Sequence, residues 1–242
     1  YYWCLGKCLG IEPVLKKHME IMDRYDSRKR VGLMVDEWGT WWDEEPGTIR
    51  GHLYQQNTMR DAFVAALTLN VFHKYTDRLK MANIAQIANV LQSMILTKGD
   101  KMVLTPTYHV FDMYKVHQEA THLPMDLRCE VASARSDYFG KKEGQRPMPM
   151  LSATASRDKD GVIHISLANV SLTETNEVEL SLDNIKVKDV TGTILTSKNV
   201  ADCNTFEKPD LVKPEPFKGA KVNKGTLKVK LPAMSIVTLE VK

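Results

Sequence analysis

Asp36 and Glu37 stand side by side at the end of the apolar run Val31-Gly32-Leu33-Met34-Val35, and Trp38, Trp41 and Trp42 follow directly. Those residue types together suit a sugar. Carboxylates engage its hydroxyls, and the apolar face of an indole stacks on the C–H face of a furanose or pyranose ring. Position matters as much as type, because in parallel α/β folds the C-terminal ends of the strands form the face that carries the active site. Successive side chains of a strand point to opposite faces, so one carboxylate of the pair is expected to face the ligand. The other should be held by hydrogen bonds or by a cation behind it. The plainer alternative is a salt-bridged carboxylate flanked by core aromatics.

The elements that would position this pair come in two styles. From Glu12 to Asp26 the spacing of Val14, Met19, Ile21, Met22 and Tyr25, with Pro13 in the first turn, predicts a helix. Val31 to Val35, apolar on both faces, predicts a buried parallel strand. A helix is expected from Met59 to Phe72, a strand from Arg78 to about Ala85, and a helix from Tyr108 to about Glu119. This alternation is the grammar of a parallel α/β fold, although two strong strands are too few to close a barrel. Beyond Pro124 the period changes to two. Met150–Ser156 and Val162–Leu167 flank the turn signal Asp158-Lys159-Asp160-Gly161 as a hairpin, and Val178 to Leu182, Leu227 to Leu231 and Ile236 to Val241 also alternate. Seven or so short strands of this kind predict an antiparallel β-sandwich, with the domain boundary placed between residues 125 and 126.

Composition removes several function classes. Among 242 residues, 33 are Lys or Arg and 30 are Asp or Glu. The first 125 residues hold 15 basic against 14 acidic side chains and the remainder 18 against 16, so neither part carries a field that would attract nucleic acid. No window approaches the length of uncharged apolar chain that spans a membrane, and no membrane partner is expected. Cys4, Cys8, Cys129 and Cys203 are too scattered for a disulfide framework or a zinc pattern, and read as reduced, buried thiols. His52, His73, His109 and His117 lack metal-ligand spacing; no metal and no cofactor is expected. The chain opens on Tyr1-Tyr2-Trp3 rather than Met, which suggests a truncated chain, so that any targeting segment would lie upstream.

Val-Asp-Glu-Trp-Gly-Thr-Trp-Trp at 35–42, the run from Asp77 to Gln86 and the continuation Asn89-Val90-Leu91-Gln92 closely resemble glycoside hydrolase family 51, the retaining α-L-arabinofuranosidases. The likeness runs from Tyr1 to the tail Leu231–Ser235 and is weakest in the sandwich. It implies the C-terminal part of a (β/α)8 TIM barrel over residues 1–125, followed by a jelly-roll-like antiparallel β-sandwich over 126–242. Carried over by position, Glu37 is the nucleophile at the end of barrel strand seven. Gln86, at the end of strand eight, binds near the nucleophile or the arabinose. Tyr2 matches the second tyrosine of a His-Tyr-Tyr segment at the end of strand six, and Trp41 lines the pocket.

The implied reaction removes terminal α-L-arabinofuranosyl residues from arabinan, arabinoxylan or their oligosaccharides. It needs two carboxyl groups about 5 Å apart, one attacking the anomeric carbon and the other protonating the leaving oxygen before activating water. In the family the second is the Glu of an Asn-Glu pair on strand four, which would precede Tyr1. Asn176-Glu177 falls in an alternating sandwich stretch and reads as a decoy; Glu44 and Glu45, in the loop after Glu37, cannot replace the acid. The expected partners are therefore an arabinose-containing saccharide, the remainder of the barrel, and further copies in a homo-oligomer. The resemblance leaves location open, with the cell interior favoured over secretion. The competing reading is an inactive fragment serving as a carbohydrate-binding or oligomer-assembly module.

Overall fold

The computed structural model describes residues 1–138, 141–182, 185, 187–223 and 226–242, with only the backbone for 133–138 and 141–146. The chain starts with α1 (Tyr2–Cys8) and α2 (Ile11–Tyr25), then β1 (Leu33–Trp38), α3 (Met59–His73) and β2 (Leu79–Ile84). A hairpin of β3 (Ile95–Lys98) and β4 (Lys101–Leu104) leads to α4 (Pro106–Tyr114) and a 3₁₀ turn, Lys115–His117. The expected helices and the first two strands thus lie where their periodicity put them. Helix α3 starts on a capping box, in which Thr58 and the Asp61 side chain satisfy each other's backbone N–H groups. Almost all of α3 is buried, from Met59 through Phe72, which makes it the central support of this part of the molecule.

β1 and β2 pair in parallel, as expected for consecutive strands joined by a helix. The expectation that β1 is buried is not met: Met34 is 55% exposed and Val31, just ahead of the strand, 60%. The reason is topological. β1 and β2 form a two-stranded sheet, so each is paired along one edge only. Arg78, 1% exposed, anchors the start of this sheet. Its guanidinium donates to Asp26, to the Val31 carbonyl at 2.9 Å and to Asp23, which ties the end of α2 to the entry of β1.

The rest is antiparallel. β5 (Thr121–Leu123), β8 (Leu151–Arg157), β9 (Ile163–Asn169), β11 (Val190–Thr196), β12 (Glu215–Pro216) and β15 (Ser235–Val241) form a six-stranded sheet in the order β12-β11-β15-β9-β8-β5. β10 (Asn176–Leu180), β13 (Ala220–Asn223) and β14 (Thr226–Leu231) form a three-stranded sheet in the order β10-β14-β13. β6 (Val131–Tyr138) and β7 (Lys141–Pro149) make a separate hairpin. Leu151, Ile165, Leu167, Val237 and Leu239 of the large sheet meet Val178, Leu227, Val229 and Leu231 of the small one, giving a β-sandwich core. The predicted hairpin of β8 and β9 is present in register, Ala155 opposite Ile165. The strands outnumber the seven or so expected, because pieces as short as β12 and β5 leave little periodic signal. β5, although it precedes residue 126, is the edge strand of the large sheet.

The second face of the large sheet is unlike its sequence pattern. Alternation normally sends the polar set to water. Here Thr154, Ser156, His164 and Ser166 are buried under the helical part. His117 bonds Ser156 at 2.7 Å and Ser166 at 2.8 Å, and His73 bonds Thr154 at 3.2 Å. Burial, and then the neighbouring imidazoles, hold the His73 pKa down to about 4 and that of His117 to about 3. Both pack against Tyr114 and against each other, with their rings 5.0 Å apart. All four cysteines are free thiols, as read, but only Cys4 is buried; the other three are partly exposed.

Candidate active site

Val35 pairs with Ala82 and Trp38 with Ile84, so Asp36 and Glu37 together oppose the single residue Asn83. This is a β-bulge, a device that bends a strand and re-aims its side chains. It corrects the alternation argument: Asp36 and Glu37 are both exposed. The predicted tether for the carboxylate facing away is not there, since neither side chain has a hydrogen bond or ion pair among the described residues. The Trp38 carbonyl accepts from the Ala85 N–H at 2.8 Å, which closes the two strand ends against each other. Glu37 and Gln86 thus stand at adjacent C-terminal strand ends, and Gln86 is likewise exposed.

The three tryptophans divide by role. Trp38 is a core residue, edge-on to Phe72 at 5.4 Å and stacked on Phe111 at 6.0 Å. Trp42 is half-buried; its indole N–H donates to Asp61 Oδ1 at 2.8 Å, and the Arg60 guanidinium lies 4.0 Å above its ring. Trp41 alone is open to a ligand, at 69% exposure. Tyr2, at the first position of α1, packs against Tyr1, and its hydroxyl accepts from the Leu172 N–H of the sandwich at 3.2 Å. The structure therefore brings Glu37, Gln86 and Trp41 to one end of the parallel pair, while the contacts of Tyr2 run to the sandwich.

Behind Glu37 lies a buried polar network that the sequence reading did not single out. Gln92 Oε1 accepts from the Thr40 N–H at 2.9 Å, and its amide donates to the Asp61 carbonyl at 2.7 Å and to Thr107 at 3.1 Å. Thr40 donates to Asp61 Oδ1 at 3.0 Å, and Gln55 ties Thr40 to the Trp42 N–H. Gly39, at φ +139°, is required where the strap crosses Gln92, because a Cβ there would lie 3.3 Å from that side chain. Segment 39–42 is thus clamped between α3 and the loop after β2, which fixes the chain leaving Glu37. Only the capping pattern Thr58-x-x-Asp61 advertises any of this in the sequence.

The other carboxylates have other duties. Glu44 Oε1 accepts from the Gly51 and Leu53 N–H groups, both at 2.7 Å, and so shapes the loop that follows β1. Asn176 and Glu177 lie in β10 opposite Leu231 and Lys230, inside the sandwich as the decoy reading has it. Among the described residues no group of three His, Cys, Asp or Glu side chains could hold a metal ion. No helix among the described residues is long and apolar enough to cross a membrane.

Paired sandwich sheets, a parallel strand pair ending in a free carboxylate and an adjacent glutamine define a recognisable class. The family model described as "Alpha-L-arabinofuranosidase C-terminal domain" matches residues 36–235, and the chain belongs to this family. It is 66% identical, over all 242 residues, to the intracellular exo-α-L-arabinofuranosidase of Bacteroides ovatus, of which it covers 46%. Among solved structures, the GH51 arabinofuranosidase of Xanthomonas axonopodis pv. citri superposes with a TM-score of 0.92 at 44% identity, over 99% of this chain and 47% of that one. The Thermotoga maritima α-L-arabinofuranosidase, solved as an arabinose complex, shares the fold at a TM-score of 0.80 and 23% identity, over 99% of this chain and 48% of that one. The chain therefore spans about half the length of the relatives it matches.

Proposed function

We infer that this chain is the C-terminal portion of a retaining α-L-arabinofuranosidase acting at non-reducing ends, in which Glu37 is the nucleophile. The observation that carries this reading is an exposed carboxylate at a register shift near the end of one parallel strand, with Gln86 just past the end of the neighbouring strand. Glu37 attacks C1 of the terminal arabinofuranose, and the leaving oxygen takes a proton from an acid supplied outside this chain. Water then releases the sugar from its ester with Glu37, so the configuration is retained. Gln86 hydrogen-bonds the sugar or the carboxylate, and Trp41 offers its indole face to the ring. Tyr2 binds the sugar as a hydrogen-bond donor, its oxygen already accepting from the Leu172 N–H.

In this reading residues 1–125 are the last part of a (β/α)8 barrel, with β1 and β2 as strands seven and eight, and 126–242 carry the sandwich. The remaining barrel strands cover the unpaired edges and the exposed faces of Met34 and Met81. By itself the chain lacks the acid, and general acid assistance is worth about 10²–10⁴ in rate, so it hydrolyses nothing appreciable alone. The cell interior, named for the Bacteroides ovatus relative, is the proposed location. The test is covalent trapping in the complete protein. A 2-fluoro-arabinofuranosyl fluoride should label the tryptic peptide that contains Glu37, and a label on any other carboxylate would overturn the assignment.

A further inference from the structure

The sandwich does not stay on its own side of the molecule. Between β11 and β12 its chain leaves the large sheet over residues 197–214 and docks on the helical part. The Asp202 and Val200 carbonyls accept from the Met59 and Arg60 N–H groups, each at 2.9 Å, and Cys203 forms an isolated antiparallel bridge with Thr58. Val212, with no exposure, joins the apolar core that contains Met59, Phe63 and Val110. We propose that this excursion is a positioning device for the sugar site. It sets the first turn of α3, and the Asp61 carboxylate in that turn sets the strap 39–42 that carries Trp41. The proposal rests on the reading of Glu37 and Trp41 as groups that meet the arabinose, and adds a part for the sandwich and for Asp61.

The excursion is tied into one shape. Asp202 Oδ2 accepts from the Ser197 hydroxyl and the Asn199 N–H, and Asn199 Oδ1 accepts from the Ala201 N–H at 2.9 Å. These bonds fold 197–202 into a tight turn that offers two carbonyls to α3. Asn204, 2% exposed, donates to the Leu104 carbonyl at 2.9 Å, just ahead of α4, and to the Val212 carbonyl at 2.8 Å. Its own oxygen accepts from the Val212 N–H at 2.8 Å. The first four N–H groups of a helix have no acceptor inside that helix. For α3 the excursion supplies two of those acceptors, from a distant part of the chain.

Asp61 does more than cap the helix. Capping needs one acceptor oxygen, and Oδ2 provides it, accepting from the Thr58 N–H at 2.8 Å and the Thr58 hydroxyl at 3.0 Å. Oδ1 is turned to the strap, where the Thr40 hydroxyl donates at 3.0 Å and the Trp42 indole at 2.8 Å. The Arg60 guanidinium reaches both oxygens and covers the Trp42 ring. Trp41 stands between these two anchored residues and is itself mostly exposed, so its direction is decided by the backbone on either side and not by packing of its own ring. A buried carboxylate is costly to leave short of hydrogen bonds, so a displaced first turn of α3 draws the strap with it. Asp61 touches neither Glu37 nor the solvent face; it is a positioning residue that acts through Thr40 and Trp42.

The experiment measures kcat and KM for p-nitrophenyl α-L-arabinofuranoside on the complete protein, well below the melting temperature of each variant. Asp61→Asn leaves one acceptor oxygen for two sets of donors, Trp42→Phe removes the indole N–H alone, and Asp202→Ala loosens the turn of the excursion without touching the strap. Each should raise KM by about three- to tenfold, with a smaller change in kcat. In a Trp41→Ala background the same substitutions should change KM by less than about twofold, because effects that pass through one side chain do not add once it is gone. A merely structural role would give the full loss in both backgrounds. Should Asp61→Asn fail to fold, Trp42→Phe and Asp202→Ala decide. Wild-type KM in either of these two or in Trp41→Ala, or losses that add in the Trp41→Ala background, would overturn the proposal while leaving the role of Glu37 intact. Full turnover by Glu37→Ala would instead overturn the role of Glu37, and the proposal with it.

Discussion

The parallel strand pair and the β-sandwich handle their backbone and apolar surface in opposite ways. In the sandwich, β9 is buried along its whole length and is paired on both edges, by β8 and β15. In the parallel pair, β1 and β2 are each paired on one edge and expose half of their residues, and the candidate catalytic groups sit at its C-terminal end. Among the described residues the two sandwich sheets pack on each other, whereas the region that holds Glu37 leaves Met34 and Met81 open. The candidate catalytic groups thus lie where this chain leaves its strands unpaired, with a network of buried polar groups behind them.

The sharpest way to break this contrast is truncation in each region. Leu167→Ala, at a position with no exposure between the two sheets, should cost about 2–5 kcal/mol in denaturant unfolding of the chain. Met34→Ala should cost no more than about 0.5 kcal/mol in the same experiment, since its side chain lies open. In the complete protein, where further strands would bury Met34, the same substitution should become a core truncation costing about 2–5 kcal/mol. Equal, small costs in both settings would show that nothing covers β1.

A smaller effect concerns the strap. Gln92→Ala leaves the Thr40 N–H without its acceptor inside a buried network and should cost about 1–3 kcal/mol. Hydrogen exchange should quicken at residues 39–42 while the sandwich strands keep their protection. Faster exchange throughout would mean that Gln92 supports the whole fold and not the strap.

A further effect is on pH. His73 and His117 are held neutral by burial, with folded pKa values of about 4 and about 3 against an ordinary 6.5. The unfolded chain therefore binds more protons than the folded one at mildly acid pH, so stability rises with pH there. It should be fully present above about pH 6.5 and drain away as the pH falls toward 4 and then 3. Melting temperature against pH reads this directly. His117→Gln should flatten the slope, and an unaltered profile would remove the imidazoles from the account.

How much of this was legible in the sequence depends on how local each feature is. Helices α2, α3 and α4 were legible because their apolar spacing is internal to each segment, whereas the short α1 was not; the abrupt end of an apolar run marked the pair Asp36-Glu37, and only the family resemblance singled out Glu37. The bulge that frees both carboxylates was not, since a register slip belongs to two strands and cannot be read from one. Gln92 and Thr40 lie 52 residues apart and carry no mutual signature. The alternation of β8 and β9 revealed the strands but misdirected their polar faces. Ser and Thr face water unless something offers them hydrogen bonds, and here His73 and His117, from a different part of the chain, do so.

One measurement bears most directly on the central claim. In the complete protein, Glu37→Ala should lower turnover of an aryl α-L-arabinofuranoside by several orders of magnitude, as loss of a covalent nucleophile does. Added azide should restore part of the rate and yield an arabinofuranosyl azide of inverted configuration, because the small anion takes the place of the missing carboxylate. A variant that keeps wild-type turnover, or that loses it without any azide product, would contradict the assignment of Glu37.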